Sequence, residues 1–383
     1  MKITAVLERR VPISRYADPA IPPGGLDTSA VAVVTDVVRD GEPVVGYGFA
    51  SIGRFAQGGL IRERFAPRLL AMPAADDIDP FHAWDAMMAD EKPGGHGERS
   101  VAVGALDMAL WDAAAKIAGL PLWRYLQRHL GMAEKVSPVS VYAGGGYYFP
   151  KDDRARLADE MAMFRDLGYT RAKIKIGARD LKEDLARIET AAEGMGGPGN
   201  LAVDAMYGYD RARAIETADA IQGRNLWWFE DICDPLDFET LAAVTQRYAP
   251  PVAAGEATFS RADAHNLIVH GGLRTDRDIL LFDIAHCYGL PEYLRMIEAA
   301  EGLGWNRRSF WPHGGHLFTL HCVAALGLGG AEVNPHNFQP FGGLTDDARV
   351  SDGKVLPPDL PGIGFEGRAA AADLFHKLAR NQT

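Results

Sequence analysis

The chain has 383 residues, an ordinary share of apolar side chains (47%) and a formal net charge of −11. A length of this order predicts one large or two medium domains, and the composition is that of a packed globular protein. The acidic balance makes nucleic acids and anionic membrane surfaces poor general partners, so we expect binding to neither.

The cysteine count and the first residues bear on the compartment. Cys233, Cys287 and Cys322 are scattered, with no metal-binding spacing. This argues against a disulfide framework or a zinc site and fits a reducing environment. The first ten residues lack the apolar core of a signal peptide, and no apolar run approaches the roughly 20 residues that span a bilayer. We therefore expect a cytoplasmic protein.

Residues 1–130 predict an α+β domain. Alternating apolar residues at 3–7 and a stretch rich in β-branched residues at 29–38 predict strands. At 99–118, apolar side chains recur every three to four residues, which predicts a helix that the following glycine and proline end.

The pattern changes at about residue 131. Short apolar strands that end in glycine or an acid alternate with amphipathic, alanine-rich helices, predicted at residues 156–167, 181–192, 211–222 and 238–248. This alternation predicts right-handed βαβ units around a parallel sheet, open or closed into a barrel. We place this domain at residues 131–345.

The last segment, residues 346–383, no longer shows this alternation. Residues 349–355 predict a hairpin and residues 369–380 a short helix, a mixture like that of residues 1–130. We expect the segment to pack back onto the first domain.

Two lysines one residue apart stand out in the predicted strand that ends near Gly177. Successive side chains of a strand alternate between faces, so Lys173 and Lys175 should share one face. Burying two like charges is expensive, and each cation lowers the pKa of the other, which makes a lysine usable as a base near neutral pH. An exposed edge strand is the alternative interpretation.

One chargeable residue follows each of the next five predicted strands, at intervals of about 26–30 residues, or one βα unit. These residues are Asp204, Glu230, Glu256, Asp283 and His313. The active sites of (β/α) barrels lie where the C-terminal ends of the strands meet, so we expect these side chains to converge. Each acid alone would be interpreted as a helix cap, but their common position on the strands favours a site.

The three acids Asp204, Glu230 and Glu256 predict a metal. They are hard oxygen ligands that would repel one another without a cation, and oxygen ligands completed by water favour Mg²⁺. Asp283 and His313 predict a carboxylate–imidazole pair in which the acid orients the ring and raises its pKa. The lysines and His313 should then face each other across the metal.

The order and spacing of these residues resemble the enolase superfamily, in its mandelate racemase and muconate lactonizing enzyme branch. Four further segments are similar to the D-tartrate dehydratases of that branch: residues 91–100, 142–148, 312–316 and 359–367. The resemblance covers nearly the whole chain. It implies an α/β fold with a (β/α)7β modified TIM barrel and an α+β capping domain, built from residues 1–130 and the returning segment 346–383.

The resemblance also implies an activity: an Mg²⁺-dependent dehydratase, a hydro-lyase, acting on a small hydroxy-dicarboxylate or acid sugar, with D-tartrate to oxaloacetate as the narrow case. One Mg²⁺ per subunit would bind the three acids. Lys175 would remove the C2 proton, with Lys173 as its electrostatic tuner. His313, held by Asp283, would protonate the departing C3 hydroxyl. A homo-oligomer is expected on the same ground.

Five residues are candidates for contact with the substrate: Lys92, Tyr147, Tyr148, His316 and Gln339. Lys92 lies on a glycine-rich loop that could close over the distal carboxylate, although a solvated lysine fits equally. Tyr147 and Tyr148 end the first barrel strand, and one of them should line the pocket. His316 also fits a purely structural role.

Two other functions remain open, in addition to cycloisomerase chemistry on the same site. A racemase or epimerase would use Lys175 and His313 on opposite faces of C2, and a non-catalytic, metal-stabilised scaffold would use neither. A dehydratase releases water and a 2-oxo acid, whereas a racemase incorporates solvent deuterium without loss of water. Met206 and Ala257 stand where the family usually has asparagine, which leaves the identity of the acid open.

Overall fold

The structure is a computed structural model that describes residues 1–16, 25–51 and 54–380. Its first sheet is antiparallel, with the strand order β1 (Ile3–Ile13), β2 (Leu26–Arg39) and β3 (Glu42–Phe49). The central strand β2 is buried along its first ten residues. These strands confirm the two that the alternation predicts and add β3.

Within the described residues, four helices of 5 to 21 residues follow the first sheet. They are α1 (Ala66–Leu70, entered through a π-helical turn), α2 (Pro80–Met88), α3 (Glu98–Ala118) and α4 (Leu122–His129). The predicted helix at 99–118 is α3, which ends at Gly119 in the left-handed conformation. Its alanine-rich face lies directly on β3: a methyl group on Gly48 would meet the carbonyl oxygen of Ala105 at 2.3 Å. The close contact of α3 with β3 therefore needs glycine there.

The second sheet is the curled parallel sheet of the barrel, with the order β10-β4-β5-β6-β7-β8-β9. Its strands in chain order are β4 (Val139–Gly144), β5 (Ala172–Lys175), β6 (Leu201–Asp204), β7 (Trp228–Glu230), β8 (Val252–Ala254), β9 (Ile279–Leu280) and β10 (Ala331–Val333). Phe310 occupies one more strand position: it bridges Leu280 in parallel, and its carbonyl accepts from the amide of Gly329.

Seven helices connect these eight strand positions. They are α5 (Asp153–Asp166), α6 (Leu181–Gly194), α7 (Arg211–Ile221), α8 (Phe238–Arg247), α9 (Arg261–His270), α10 (Leu290–Gly302) and α11 (Leu317–Leu326). The four helices predicted from the periodicity are α5 to α8. The (β/α)7β architecture is therefore confirmed.

Aromatic side chains fill the barrel below the strand ends. Tyr142, Trp228 and Trp311 are buried together, with ring centroids 5.2–6.1 Å apart. Trp228 also supports the layer above, because its Nε1 donates to Glu230 Oε2 at 2.7 Å. The barrel interior is thus packed, which leaves the strand ends as the place for chemistry.

The last segment contacts both parts of the molecule. Strand β11 (Lys354–Val355) pairs antiparallel with β4, next to the turn of the predicted hairpin. Helix α12 (Ala369–Arg380) packs on the first sheet, where Phe375 stacks on Tyr47 with ring centroids 4.8 Å apart. The domain limits 1–130 and 131–345 stay a prediction. None of the helices in the described ranges is both long enough and apolar enough to cross a bilayer.

Candidate active site

Strand pairing places the predicted charged residues at one level. Lys175 is paired with Asp204 and Asp204 with Glu230 in the register of β5, β6 and β7. Lys173 and Lys175 share one face of β5, and both are buried. Lys175 Nζ donates to Asp204 Oδ2, and Lys173 Nζ donates to Glu230 Oε1.

A further acid completes the environment of Lys173. Glu332 on β10 lies 3.3 Å from Lys173 Nζ, and the backbone amide of Gly314 donates to its other oxygen at 3.3 Å. Glu332 is buried, so Lys173 is surrounded by acids on both sides. The sequence pattern does contain a signal for it: an acid inside the short apolar segment Ala331–Val333 that follows α11.

The pKa of both lysines is raised, whereas two neighbouring cations predict a lowered pKa. Burial favours the neutral amine, but Asp204 outweighs it and raises the pKa of Lys175. Glu230 and Glu332 do the same to the pKa of Lys173. The repulsion between the two cations is present but weaker than these attractions. A low lysine pKa therefore requires that the carboxylates be engaged by something other than the lysines.

Three buried carboxylates form a group that could hold a metal: Asp204, Glu230 and Asp231, whose oxygens lie within 4.8 Å of one another. Both oxygens of Asp231 are buried, with no hydrogen-bond partner among the described residues. Burial and the neighbouring acids, Glu256 first, raise the pKa of Asp231 well above its ordinary value. Unsatisfied oxygen ligands of this kind fit a hard divalent cation such as Mg²⁺.

Glu256, the third predicted ligand, lies outside this group of three. Its Oε2 is 3.4 Å from His313 Nε2, and 22% of its side chain is exposed. The structure thus brings Asp204 and Glu230 together as the spacing predicts, but it adds Asp231 and places Glu256 between the acids and the histidine.

His313 and Asp283 form the predicted contact, with Nδ1 and Oδ2 2.7 Å apart. Burial lowers the pKa of His313, but Glu256 and Asp283 raise it to about 9. Burial likewise opposes the charge on Asp283, yet His286 and His313 hold the pKa of Asp283 below its ordinary value. The His313 ring is therefore a charged imidazolium at neutral pH, and the Asp283 carboxylate that orients it is also charged.

Ser51 and His286 also touch Asp283, and the sequence pattern marks neither. His286 Nδ1 lies 3.5 Å from Asp283 Oδ2, and its Nε2 is buried with no partner among the described residues. Ser51, which follows β3, donates its hydroxyl to the same Oδ2 at 2.8 Å. The first sheet and the barrel therefore meet at Asp283.

The predicted substrate contacts have different environments. The Tyr147 ring lies 5.3 Å from Lys175 Nζ, and its pKa is raised by burial. Tyr148 donates its hydroxyl to Asp184, and Gln339 accepts from Arg368 and donates to backbone carbonyls. Lys92 is exposed. Of Tyr147, Tyr148 and Gln339, Tyr147 is the residue that the structure places against a lysine of the pair.

His316, the fifth candidate, is buried at the start of α11. It accepts from the amide of Thr319 at 3.4 Å, and its Nε2 lies 3.4 Å from Ser51 Oγ. Burial lowers the pKa of His316 to about 4, so this ring is neutral near pH 7. Its contacts are with Ser51 and the helix start.

Tyr147 also separates the lysine from a side cavity of about 220 Å³. Arg15 lies 5.9 Å from the Tyr147 ring, and Asn337 and Arg156 line the same cavity. Asp159 and Glu160 line it as well, so the cavity has side chains of both charges.

Similarity to known proteins agrees with this geometry. The sequence profile described as "Enolase C-terminal domain-like" matches residues 156–371. Arabinonate dehydratase of Saccharolobus solfataricus is 25% identical over 89% of this chain and 90% of its own. The 3,6-anhydro-alpha-L-galactonate cycloisomerase of Streptomyces coelicolor is 30% identical over 71% and 70%.

A solved structure of L-talarate dehydratase from Polaromonas sp. JS666, complexed with Mg and L-glucarate, is 26% identical. It covers 95% of this chain and 94% of its own, with a TM-score of 0.73. The chain belongs to the enolase superfamily, in the mandelate racemase and muconate lactonizing enzyme family. Its relatives include acid-sugar dehydratases and cycloisomerases.

Proposed function

We propose that this protein is an Mg²⁺-dependent dehydratase of a small hydroxy-dicarboxylate or acid sugar, with D-tartrate to oxaloacetate as the narrow case. The observation that carries the proposal is the placement of Lys175 and His313 around one group of acids. Lys175 lies on β5, and His313 follows the Phe310 position, so β10 and β4 separate them on one side and β6 to β9 on the other. A base and an acid are thus available from two directions.

The buried acids are the proposed metal ligands. Asp204 and Glu230 belong both to the set of acids expected from the spacing and to the group of three in the structure. The third ligand is either Asp231, the other member of that group, or Glu256, which lies next to His313. A divalent cation bound there would hold the substrate carboxylate, acidify the neighbouring C2–H bond and stabilise the charge of the enediolate.

Lys175 is the proposed base. It takes the C2 proton, and the electrons of the C2–H bond pass to the substrate carboxylate to form the enediolate. Lys173 stays protonated between Glu230 and Glu332 and contributes positive charge at that carboxylate. Glu332 would hold Lys173 in place.

His313 is the proposed acid. As the enediolate collapses, the C3–O bond breaks and His313 Nε2 gives its proton to the hydroxyl, which leaves as water. Asp283 keeps the ring oriented through Nδ1. The enol that remains tautomerises to a 2-oxo acid, which for tartrate is oxaloacetate.

A screen of four- to six-carbon acid sugars with Mg²⁺, with 2-oxo acid formation as the readout, tests the proposal. We expect turnover of at least one hydroxy acid and loss of turnover on chelation. Inactivity toward every tartrate stereoisomer would remove the narrow claim, and inactivity toward every acid would remove the broad one.

A second candidate is cycloisomerase, racemase or epimerase chemistry, favoured by the 30% identity to a cycloisomerase. It would use the same base and the same acid without loss of water. Mass spectrometry in D₂O distinguishes the two: a dehydratase gives a product that lacks one water, whereas a racemase returns substrate in which a deuteron has replaced the C2 proton.

A further inference from the structure

Ser51 is buried at the contact between the first sheet and the barrel. It lies two residues after the end of β3, and its hydroxyl donates to Asp283 Oδ2 at 2.8 Å. The same hydroxyl oxygen lies 3.4 Å from His316 Nε2. A residue of the N-terminal region thus reaches the acid that orients His313.

The two oxygens of Asp283 have different sets of donors. Oδ1 accepts from the backbone amides of Ala285 and His286, at 2.7 and 3.1 Å, within the turn that follows β9. Oδ2 accepts from Ser51 and from His313, with His286 Nδ1 farther away at 3.5 Å. Among the described residues, the barrel therefore supplies every donor to Asp283 except the serine hydroxyl.

We propose that Ser51 is a positioning residue for the acid of the reaction: it fixes Asp283 Oδ2 so that His313 keeps its proton on Nδ1 and presents Nε2 to the leaving hydroxyl. This inference rests on the proposed function for its catalytic consequence. The structural part of the inference, that Ser51 helps to orient His313 from the segment that follows the first sheet, does not depend on that function.

The physical argument concerns what replaces Ser51 when it is lost. Asp283 is fully buried, so water does not readily replace the missing donor. Oδ2 would be left with His313 and the more distant His286 as competing partners. The carboxylate can then turn toward His286, which weakens its hold on His313 without removing either histidine.

The first test needs no catalysis. In protein labelled with ¹⁵N-histidine, the Nδ1 proton of His313 in its hydrogen bond to Asp283 should give a downfield proton resonance, assigned by its absence in His313→Asn. In Ser51→Ala we expect this resonance to shift and broaden. Ser51→Thr, which keeps the hydroxyl, should retain it. An unchanged resonance in Ser51→Ala overturns the proposal, whatever the substrate proves to be.

The second test compares two half-reactions on the acid found in the screen. Ser51→Ala should lower kcat for dehydration about tenfold, the effect of losing a buried hydrogen bond to a charged group, with KM changed less than about twofold. Exchange of the C2 proton with D₂O depends on Lys175 and should continue at the wild-type rate. The ratio of exchange to dehydration should therefore rise about tenfold.

Ser29→Ala is the matched control. Ser29 lies on β2 and, like Ser51, is a buried serine that donates to a carboxylate, here Glu8 Oε1 at 2.7 Å. It should lower thermal stability and leave the ratio of exchange to dehydration unchanged. If Ser51→Ala lowers exchange and dehydration in parallel, as a merely structural residue would, the positioning role is wrong. If wild-type protein catalyses neither reaction, the proposed function has failed and the resonance test alone decides.

Discussion

In the proposed mechanism, Lys175 and His313 act on different atoms of the substrate, so their loss should have different consequences. Lys175→Ala should abolish both dehydration and exchange of the C2 proton with solvent. His313→Asn should lower kcat for dehydration by roughly 10²–10⁴-fold, yet still permit exchange. Deuterium incorporation followed by mass spectrometry measures both. Exchange that survives in Lys175→Ala would contradict its role as the base.

Either Glu256 or Asp231 is the third ligand of the proposed metal site. If Glu256 binds the metal, Glu256→Gln should weaken Mg²⁺ binding about tenfold or more, whereas Asp231→Asn should leave affinity nearly unchanged. The buried, unpaired oxygens of Asp231 favour the opposite order. Titration of the apoprotein by calorimetry, with Mn²⁺ as a second probe, decides between them without any substrate.

How far the sequence predicts the site depends on where each residue comes from. Asp204 and Glu230 repeat at the interval of one βα unit, and the structure shows them in adjacent register. Asp231 breaks that periodicity, because it follows a predicted ligand directly. Ser51 reaches the barrel from a distant part of the chain, and no local pattern encodes a contact of that range.

Among the elements, α3 is constrained by what lies against its glycine. A methyl group on Gly104 would lie 1.9 Å from the carbonyl oxygen of Ala285, in the turn that carries Asp283. Helix propensity alone predicts that Gly104→Ala stabilises by up to about 1 kcal/mol. We expect the clash to dominate, so that the free energy of unfolding falls by about 1–3 kcal/mol and activity falls with it.

Urea denaturation followed by circular dichroism measures this effect. Gly302, the last residue of α10, is the matched control, because a methyl group added there meets open space. Gly302→Ala should be neutral or slightly stabilising. A Gly104→Ala variant as stable as Gly302→Ala would mean that α3 shifts freely on the barrel.

Helix α5 contributes a pH-dependent effect through Glu160, whose Oε2 accepts from the amide of Gly146 at 3.1 Å. Burial raises the pKa of Glu160 to about 7, above its ordinary 4.5. The folded state therefore binds more protons than the unfolded state between these values, and this acid's contribution to stability is lost as the pH rises from about 4.5 to 7.

Glu160→Gln removes that dependence. Relative to wild type, its free energy of unfolding should improve by about 2–3 kcal/mol between pH 4.5 and pH 7.5. Urea denaturation at both pH values measures the difference. A difference between variant and wild type that does not change with pH would show that the carboxylate is already charged in the folded protein.

The elements show why periodicity predicts the helices but not every strand. Helices α5 to α8 carry several amphipathic turns, and the periodicity predicts their positions to within a few residues. Strand β9 has two residues, and the Phe310 position is a single bridge. Pieces this short have no alternation to detect, so their short apolar runs and the acid or histidine that follows are the usable signal.

At the scale of the whole molecule, the buried acids predict a dependence of stability on metal. Removing divalent cations with a chelator should lower the melting temperature, and Mg²⁺ at about 100 times its Kd should restore about 2.7 kcal/mol. Asp204→Asn should lose most of this response, whereas Asp373→Asn, a control on the exposed face of α12, should keep it. Differential scanning calorimetry measures both.

The architecture is predictable because alternation over some two hundred residues leaves few topologies. The association of its two parts is harder to foresee. Strand β11 pairs with the barrel, although the segment from residue 346 is expected to return to the first domain, and α12 does return there. Strand β11 lies on the barrel because its backbone pairs with β4. The sequence of residues 349–355 alone does not indicate β4 as the partner.

The packing of α12 on the first sheet has a consequence for biosynthesis. Strands β1 and β2 emerge from the ribosome before the barrel, but Phe375, which stacks on Tyr47, emerges only after the entire barrel has been translated. Until then the nascent sheet has an uncovered apolar face, the kind of surface that chaperones recognise.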